Sequence, residues 1–326
     1  MDTINMKKTA GFSISKLLRK QWFFLLLVVI ALSVFTGIIN PKYLSVRNII
    51  NIMEQISVLG LVASGATILI VSGEIDISIG SAMGLTSCAM AMMMESGMAS
   101  FPSVLIGILV AVACSLFVGV STILFKAPSF IISLACIGIY KGISLALTQG
   151  TIQTIYGQFE FIGATRFFGI VPLLFLISIL GYTAVHLIMK YTQLGRRVYA
   201  IGSNSKAAYL SGINVNWNKL IFFSINGILV GLASALLLSR IGAVQPATGA
   251  GTELRAIGAV VIGGAPLSGG KGTILGTFFG VLLMGVISNV LNMLQVNPYF
   301  QEIVFGVLII ASLAMSSLSQ QSRSKG

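Results

Sequence analysis

The stretch GGAPLSGGKGT at 263–273 sets glycines around a lysine, the composition of a nucleotide phosphate cradle. A P-loop runs Gly, four residues, Gly-Lys, then Ser or Thr, so that backbone amides surround the phosphates and the hydroxyl reaches magnesium. Counted back from Gly270 and Lys271, the first glycine position holds Ala265, and Gly272 follows the lysine where a hydroxyl is required. The motif fails at both places. The glycines read instead as a tight turn, in which positive φ and close backbone approach are tolerated.

Other groups with chemical potential are sparse. Cys88, Cys114 and Cys136 stand singly in apolar segments and read as small buried hydrophobes. His186 has no second ligand at metal-binding spacing, so neither a metal site nor a cofactor is expected. A charge inside an apolar run is the best functional pointer in such a chain. Lys141, in ACIGIYKGISLALTQG, is the clearest. It reads as a helix-packing position that snorkels or pairs with a carboxylate or carbonyl, direct solute contact being the alternative. Glu54, Glu95, Glu160, Glu253 and Glu302 fall near the outer ends of apolar runs, and Glu74 and Asp76 at an inner end. The mid-span carboxylates of a proton relay are therefore not expected. No mid-span Ser-His or carboxylate pair suggests an enzyme. Glycines four apart (Gly80 and Gly84, Gly138 and Gly142, Gly227 and Gly231, Gly276 and Gly280) let helices approach closely.

The elements that position these residues follow from composition. Of 326 residues, 56% are hydrophobic and 9% charged, with mean hydropathy +0.98, whereas a soluble domain carries roughly 25% charged residues. One globular core cannot hide so much apolar surface, so the chain reads as an integral membrane protein. The apolar runs are continuous, whereas a barrel strand alternates, which leaves a helical bundle. They fall at about 21–39, 49–71, 80–98, 102–125, 130–149, 167–189, 220–239, 256–267, 273–294 and 299–318. The run at 256–267 is too brief for a crossing unless the helix breaks near Gly263 and Gly264, with Pro266 barring its continuation. The predicted fold is all-α, a polytopic membrane helical bundle of about ten transmembrane helices with at least one short or broken. A cytoplasmic tail at 1–20, one transmembrane domain at 21–318 with a cytoplasmic loop at 190–219, and a cytoplasmic tail at 319–326 complete the expected organisation. The N-terminal KLLRKQWFFLLLVVIALSVFTG lacks a small-x-small cleavage site, which predicts an uncleaved first span.

Charge orients these spans. With the N-terminus in the cytoplasm and sides alternating, Lys7, Lys8, Lys16, Arg19, Lys20, Lys126, Lys190, Arg196, Arg197, Lys206, Lys219, Lys271, Arg323 and Lys325 lie inside. Lys42, Arg47, Arg166, Arg240 and Arg255 lie outside, and Lys141 within a span. This obeys the positive-inside rule. The net charge of +12 thus has a topological cause, and nucleic acid is not expected as a partner. In the loop, Asn204-Ser205 resembles a helix cap before Ala207, Ala208 and Leu210, which predicts a short amphipathic helix for docking a partner. A helix lying on membrane lipid is the alternative.

The segments LGRRVYAIGSNSKAAYLSGINV and GAVQPATGAGTELRAIGAVVIGGAPLSGGKGTILGTFFGVLLMGVISNVLNML resemble permease subunits of bacterial ATP-binding-cassette (ABC) sugar importers of the ribose, galactose, xylose and autoinducer-2 type. ILIVSGEIDISIGS is similar to that family's Gly-Ile-Asp-Leu-Ser-Val-Gly-Ser segment, and the resemblance runs from about Tyr43 to Leu318. It implies a multi-pass subunit of the bacterial inner membrane. Its implied partners are a second permease copy or a sibling, a cytoplasmic ABC ATPase subunit, and an extracytoplasmic solute-binding protein. The family's ATPase-coupling segment carries over to Leu194, Gly195, Arg196, Arg197, Gly202, Ala207, Ala208, Leu210, Gly212 and Ile213. Two positions depart from the family pattern: Glu74 stands where many sugar permeases have Gly, and Arg255 where an acidic residue is common. A neutral polyhydroxyl solute suits the scarcity of intramembrane charge. Candidate path-lining groups are Ser72, Ser78, Asn226, Gln245, Thr248, Ser288, Asn289 and Asn292, helix-to-helix hydrogen bonding being the alternative. A stand-alone secondary carrier of a neutral polar solute is the competing function.

Overall fold

A computed structural model describes residues 21–155 and 157–324. The expected tail at 1–20, with Lys7, Lys8, Lys16, Arg19 and Lys20, and the final Lys325 lie outside the described residues. Each of the ten apolar runs forms a helix: α1 (Gln21–Ile39), α2 (Val46–Val71), α3 (Ile79–Glu95), α4 (Ser100–Phe125), α5 (Ser129–Thr148), α7 (Leu173–Tyr191), α10 (Val215–Ile241), α11 (Thr252–Ile262), α12 (Ile274–Met293) and α13 (Pro298–Ser324). Between them lie the four-residue α6 (Phe161–Ala164) and two short helices, α8 (Gln193–Ser203) and α9 (Ser205–Leu210). Among the described residues seven helices are long and apolar enough to cross a membrane: α1, α2, α4, α5, α7, α10 and α12. Of the expected count of about ten crossings, these seven are met; α3, with 17 residues, α11, with 11, and α13 fall outside that set.

Two tiny antiparallel ladders are additions to the all-α expectation. They pair β1 (Gln153–Thr154) with β4 (Ala243–Val244), and β2 (Arg166–Phe167) with β3 (Val171–Pro172). Two-residue ladders carry no alternating signal for a sequence pattern to reveal.

Helix α2 is the spine, with 89% of its apolar window buried, whereas α1 and α5 are covered on one side only. The glycine pairs divide by surroundings. A β carbon at Gly227 or Gly231 would press on the Cα of Val112 or Ile108, so α10 lies hard against α4. Gly276 and Gly280 do the same for α12 on the carbonyls of Gly263 and Ala259, at and beyond the end of α11. Gly80 and Gly84 face the loop that precedes α11, and Gly138 and Gly142 meet no atom within 4 Å. Polar ties reinforce the spine: Asn48 and Asn289 exchange side-chain amide hydrogen bonds of 2.9 and 2.8 Å between α2 and α12.

Candidate functional site

The α8–α9 hairpin is built by caps. The hydroxyl of Thr192 accepts from the Gly195 amide at 3.2 Å and starts α8. Asn204 Oδ1 accepts from the amides of Lys206 and Ala207 at 3.1 and 3.0 Å and starts α9, as its Asn-Ser pair predicts. Gly212 (φ 83) then turns the chain while the Ile213 amide returns to the Ala208 carbonyl at 3.1 Å, the left-handed close that glycine favours. Asn214 caps α10 in turn, accepting from Trp217 N at 3.0 Å.

Helix α8 seats this hairpin on the bundle. Its buried face is Gly195, Val198 and Ile201. The Tyr199 hydroxyl donates to the Gly272 carbonyl at 2.8 Å, and burial pushes this phenol up, so it stays a neutral donor. Gly202 lies against the Val71 carbonyl that ends α2 and against the Gly270 amide, which itself donates to Val71 at 2.8 Å. Gly264, Gly269, Gly270 and Gly272 all have positive φ, so the 264–272 loop can fold flat against Gly73 and Gly202. The stretch that fails as a phosphate cradle is a backbone joint between α2, α8 and the loop that links α11 to α12.

At the opposite end, side chains do the joining. The buried Glu54 carboxylate is shared by Arg166 at 3.2 Å and Arg240 at 3.3 Å, which ties α2 to the β2 segment and to α10. Beside it opens a cleft of about 560 Å³ among α2, α10, α11, α12 and α13. Gln55, Thr248, Ser288, Asn292 and Gln301 lend it hydrogen-bonding groups, and Met284 and Phe305 lend apolar surface. Arg255 lines it, 3.7 Å from Glu302 and with its guanidinium 5.7 Å from the centre of the Phe305 ring.

The two short helices start inside the bundle, against each other. Eleven residues span roughly 16 Å, about half of a hydrocarbon core of ~30 Å, so α11 cannot cross alone. Its first turn presents Glu253 to Gly80 in the first turn of α3. One Glu253 oxygen accepts from the Gly251 amide at 3.1 Å, and the other is buried without a partner among the described residues. The extended chain leading into α3 is held by Ser129 and Ser133 of α5, which accept from the amides of Ile75 and Ile77. Asp76 within it is buried and accepts from Ser78. Glu253 was expected near an outer end and Asp76 at an inner one. The structure turns both carboxylates into the bundle because each short helix begins after a segment that re-enters it.

Comparison with known proteins places the chain. The family model described as branched-chain amino acid transport system / permease component matches residues 48–313. The chain belongs to this family. The ribose import permease protein of Bacillus subtilis (strain 168) is 37% identical over 288 residues, covering 87% of this chain and 89% of that protein. Its counterpart in Escherichia coli (strain K12) is 33% identical over 325 residues, 98% of this chain and 100% of that protein. The D-allose transport system permease protein of the same strain is 35% identical over 302 residues, 91% and 90% of the two chains. No solved structure matches. The chain is thus a multi-pass membrane permease of a transport family.

Within the permease, the sequence-derived residues divide by what they touch. Of the coupling-segment residues, Gly195 and Ala208 are buried, Leu194, Arg197, Gly202 and Ile213 half-buried, and Arg196, Ala207, Leu210 and Gly212 exposed. The first six are scaffold and the last four are surface. Tyr209, exposed beside Leu210, joins that surface and was missed because an aromatic in a short helix gives no periodic signal. Of the path candidates, Thr248, Ser288 and Asn292 line the cleft. Gln245 is exposed in the loop above it, its amide donating to Thr248 Oγ1 at 2.9 Å. Ser72, Ser78, Asn226 and Asn289 are buried and do not line the cleft: Ser72 donates to the Leu69 carbonyl, Ser78 to Asp76 Oδ1, Asn226 to Ser115 Oγ and Asn289 to Asn48. Lys141 is exposed on α5 and, among the described residues, forms no ion pair. The departures have partners: Glu74 pairs with Lys219, and Arg255 with Glu302.

Proposed function

We propose that the permease is the membrane subunit of an ABC importer that moves a sugar or similar small polar solute into the cytoplasm, with ATP hydrolysed on a partner subunit. The observation that carries this reading is the α8–α9 hairpin, whose exposed face (Arg196, Ala207, Tyr209, Leu210) is capped and stiff and whose inner face rests on the backbone of α2 and the 264–272 loop. An ATPase docked on α9 would push through α8 on that joint. The loop continues into α11, whose far end carries Thr252 and Arg255 into the cleft. A displacement at the hairpin is thereby passed along one short, rigid helix to the solute-facing end.

The hairpin end is assigned to the cytoplasm because Lys126, Lys190, Arg196, Arg197, Lys206, Lys219 and Lys271 gather there, leaving Lys42, Arg47, Arg166, Arg240 and Arg255 at the other end. The bacterial inner membrane, cytoplasmic termini, a second permease copy or sibling, and a solute-binding protein delivering to the cleft belong to the same reading. The sugar import permeases among its relatives support it. The test is co-purification with the ATPase: Arg196→Glu with Leu210→Asp should abolish association while leaving the thermal melt unchanged. Undiminished association refutes the docking surface.

A second reading, a stand-alone secondary carrier, draws on Asp76 and the half-partnered Glu253, carboxylates inside the bundle of the kind that ion-coupled carriers use. Uptake into vesicles containing this chain alone, driven by a proton gradient, would favour it.

A further inference from the structure

A second pocket, about 470 Å³, opens at the hairpin end beside the α4–α5 turn and belongs neither to the docking surface nor to the cleft. Hydrogen-bond donors from three helices meet in its wall, beside Glu74 and apolar side chains such as Ile123 and Phe130. Lys126 leaves the end of α4, Lys219 and Asn216 come from the first turns of α10, and Ser129 and Phe130 begin α5. The α5 N-cap is Pro128, which has no side-chain acceptor, so the first amides of a 20-residue helix are left uncapped at the pocket. Thr122, 6% exposed, lines the same pocket, and its buried hydroxyl has no hydrogen-bond partner among the described residues. The Ser129 hydroxyl accepts from Ile75 N and keeps its own proton to give.

The charge balance has the same sense. Glu74 is the pocket's one carboxylate, and Lys219 engages it. Lys126 forms no ion pair among the described residues, which leaves the pocket one positive charge in excess. Lys126 is also held at φ 52, a left-handed conformation that glycine or asparagine would enter more easily. Leu124 and Phe125 on one side and Phe130 and Ile131 on the other are exposed apolar side chains that continue the pocket onto the outer faces of α4 and α5.

We propose that this pocket holds the phosphate of an anionic phospholipid, with the headgroup against Lys126, Thr122, Asn216 and the α5 amides and the acyl chains along Leu124, Phe125, Phe130 and Ile131. A polar, donor-rich cavity bordered by apolar side chains at a helix end matches a lipid at the membrane interface. A basic pocket between membrane helices is a recognised headgroup-binding feature. A soluble anion would have no use for the apolar border.

The test is native mass spectrometry of the full-length permease released from nanodiscs of phosphatidylcholine with or without phosphatidylglycerol. The wild type should retain phosphatidylglycerol in preference to phosphatidylcholine. Lys126→Gln should weaken that retention about fivefold, the effect of one cation beside an anionic headgroup, and Lys126→Arg should restore it. Lys190→Gln, at the same end but outside the pocket, should leave it unchanged. Equal melting temperatures in pure phosphatidylcholine establish that the Lys126 variants fold. Equal retention of the two lipids, an unaffected Lys126→Gln, or an equal loss in Lys190→Gln would each overturn the proposal. So would displacement of phosphatidylglycerol by millimolar inorganic phosphate, which would make the pocket a free-anion site.

Discussion

At the hairpin joint, backbone meets backbone: Gly202 lies on the Val71 carbonyl and Gly270 donates to it, while the ion pair at that end, Glu74 with Lys219, ties α10 to the chain beyond α2. At the cleft end, charges do the joining, with Glu54 held between Arg166 and Arg240 and Arg255 facing Glu302. A glycine joint depends on shape and is insensitive to salt, and it transmits displacement because close-packed backbone has nowhere to yield. An ionic cluster can loosen and reform as water enters, which would suit the proposed role of that end in admitting a polar solute. Under the proposed function, the backbone joint would receive force and the ionic end would respond to it.

The largest expected effect comes from filling the joint. Gly202→Val would drive a side chain into the Val71 carbonyl and to 2.8 Å from the Gly270 amide, and overpacking of this kind costs roughly 3 kcal/mol. Solute uptake should collapse, and the lowered melting temperature should not recover in high salt. Glu54→Gln at the other end leaves two arginines sharing a neutral amide, and should lower stability by about 2 kcal/mol, less than for a fully buried pair because the arginine heads are partly solvated. Part of that cost should disappear near 1 M salt, where the Debye length is about 3 Å. Equal salt responses in the two variants would break the contrast.

Smaller changes sharpen it. Asn204→Ala removes the α9 cap and should cost about 1 kcal/mol, read as weaker ATPase association with the core melt unmoved. Tyr199→Phe deletes the hydrogen bond to Gly272 and should also cost about 1 kcal/mol. Its distinguishing readout is more ATP hydrolysed per solute transported in the reconstituted importer, with ATPase association intact. An unchanged ratio would remove Tyr199 from the transmission route. Arg255→Gln, at the cleft wall, should change the KM for uptake by a few-fold while the ATPase rate holds, the smallest effect because its partner Glu302 is exposed.

How much could be read from the chain depended on the range of the interactions. Hydrophobic continuity located the ten helices, with some ends displaced by five or six residues, and the Asn204-Ser205 pair located α9, because runs and caps are local. The GGKGT stretch could be rejected as a phosphate cradle by spacing alone. Its partners could not be read, since Gly202 and Val71 are distant in sequence and meet it only through the fold. Nor could the packing of α3 and α11 start to start, beside Asp76 and Glu253, be read, because hydropathy gives the ends of a run and not what they meet.

The sequence by itself determined the class, the orientation signal and the capped helix α9, since apolar area, lysine and arginine bias, and capping residues act through water and lipid without reference to distant neighbours. Only the tertiary structure decided which of the eight path candidates are hydrogen-bonded inside the bundle and which three line a cleft. It also decided that Glu54 holds two arginines, and that α3 and α11 begin against each other. Those outcomes follow from contacts made across the whole length of the chain. A pattern read along one helix gives the face that is buried and leaves open what that face will meet.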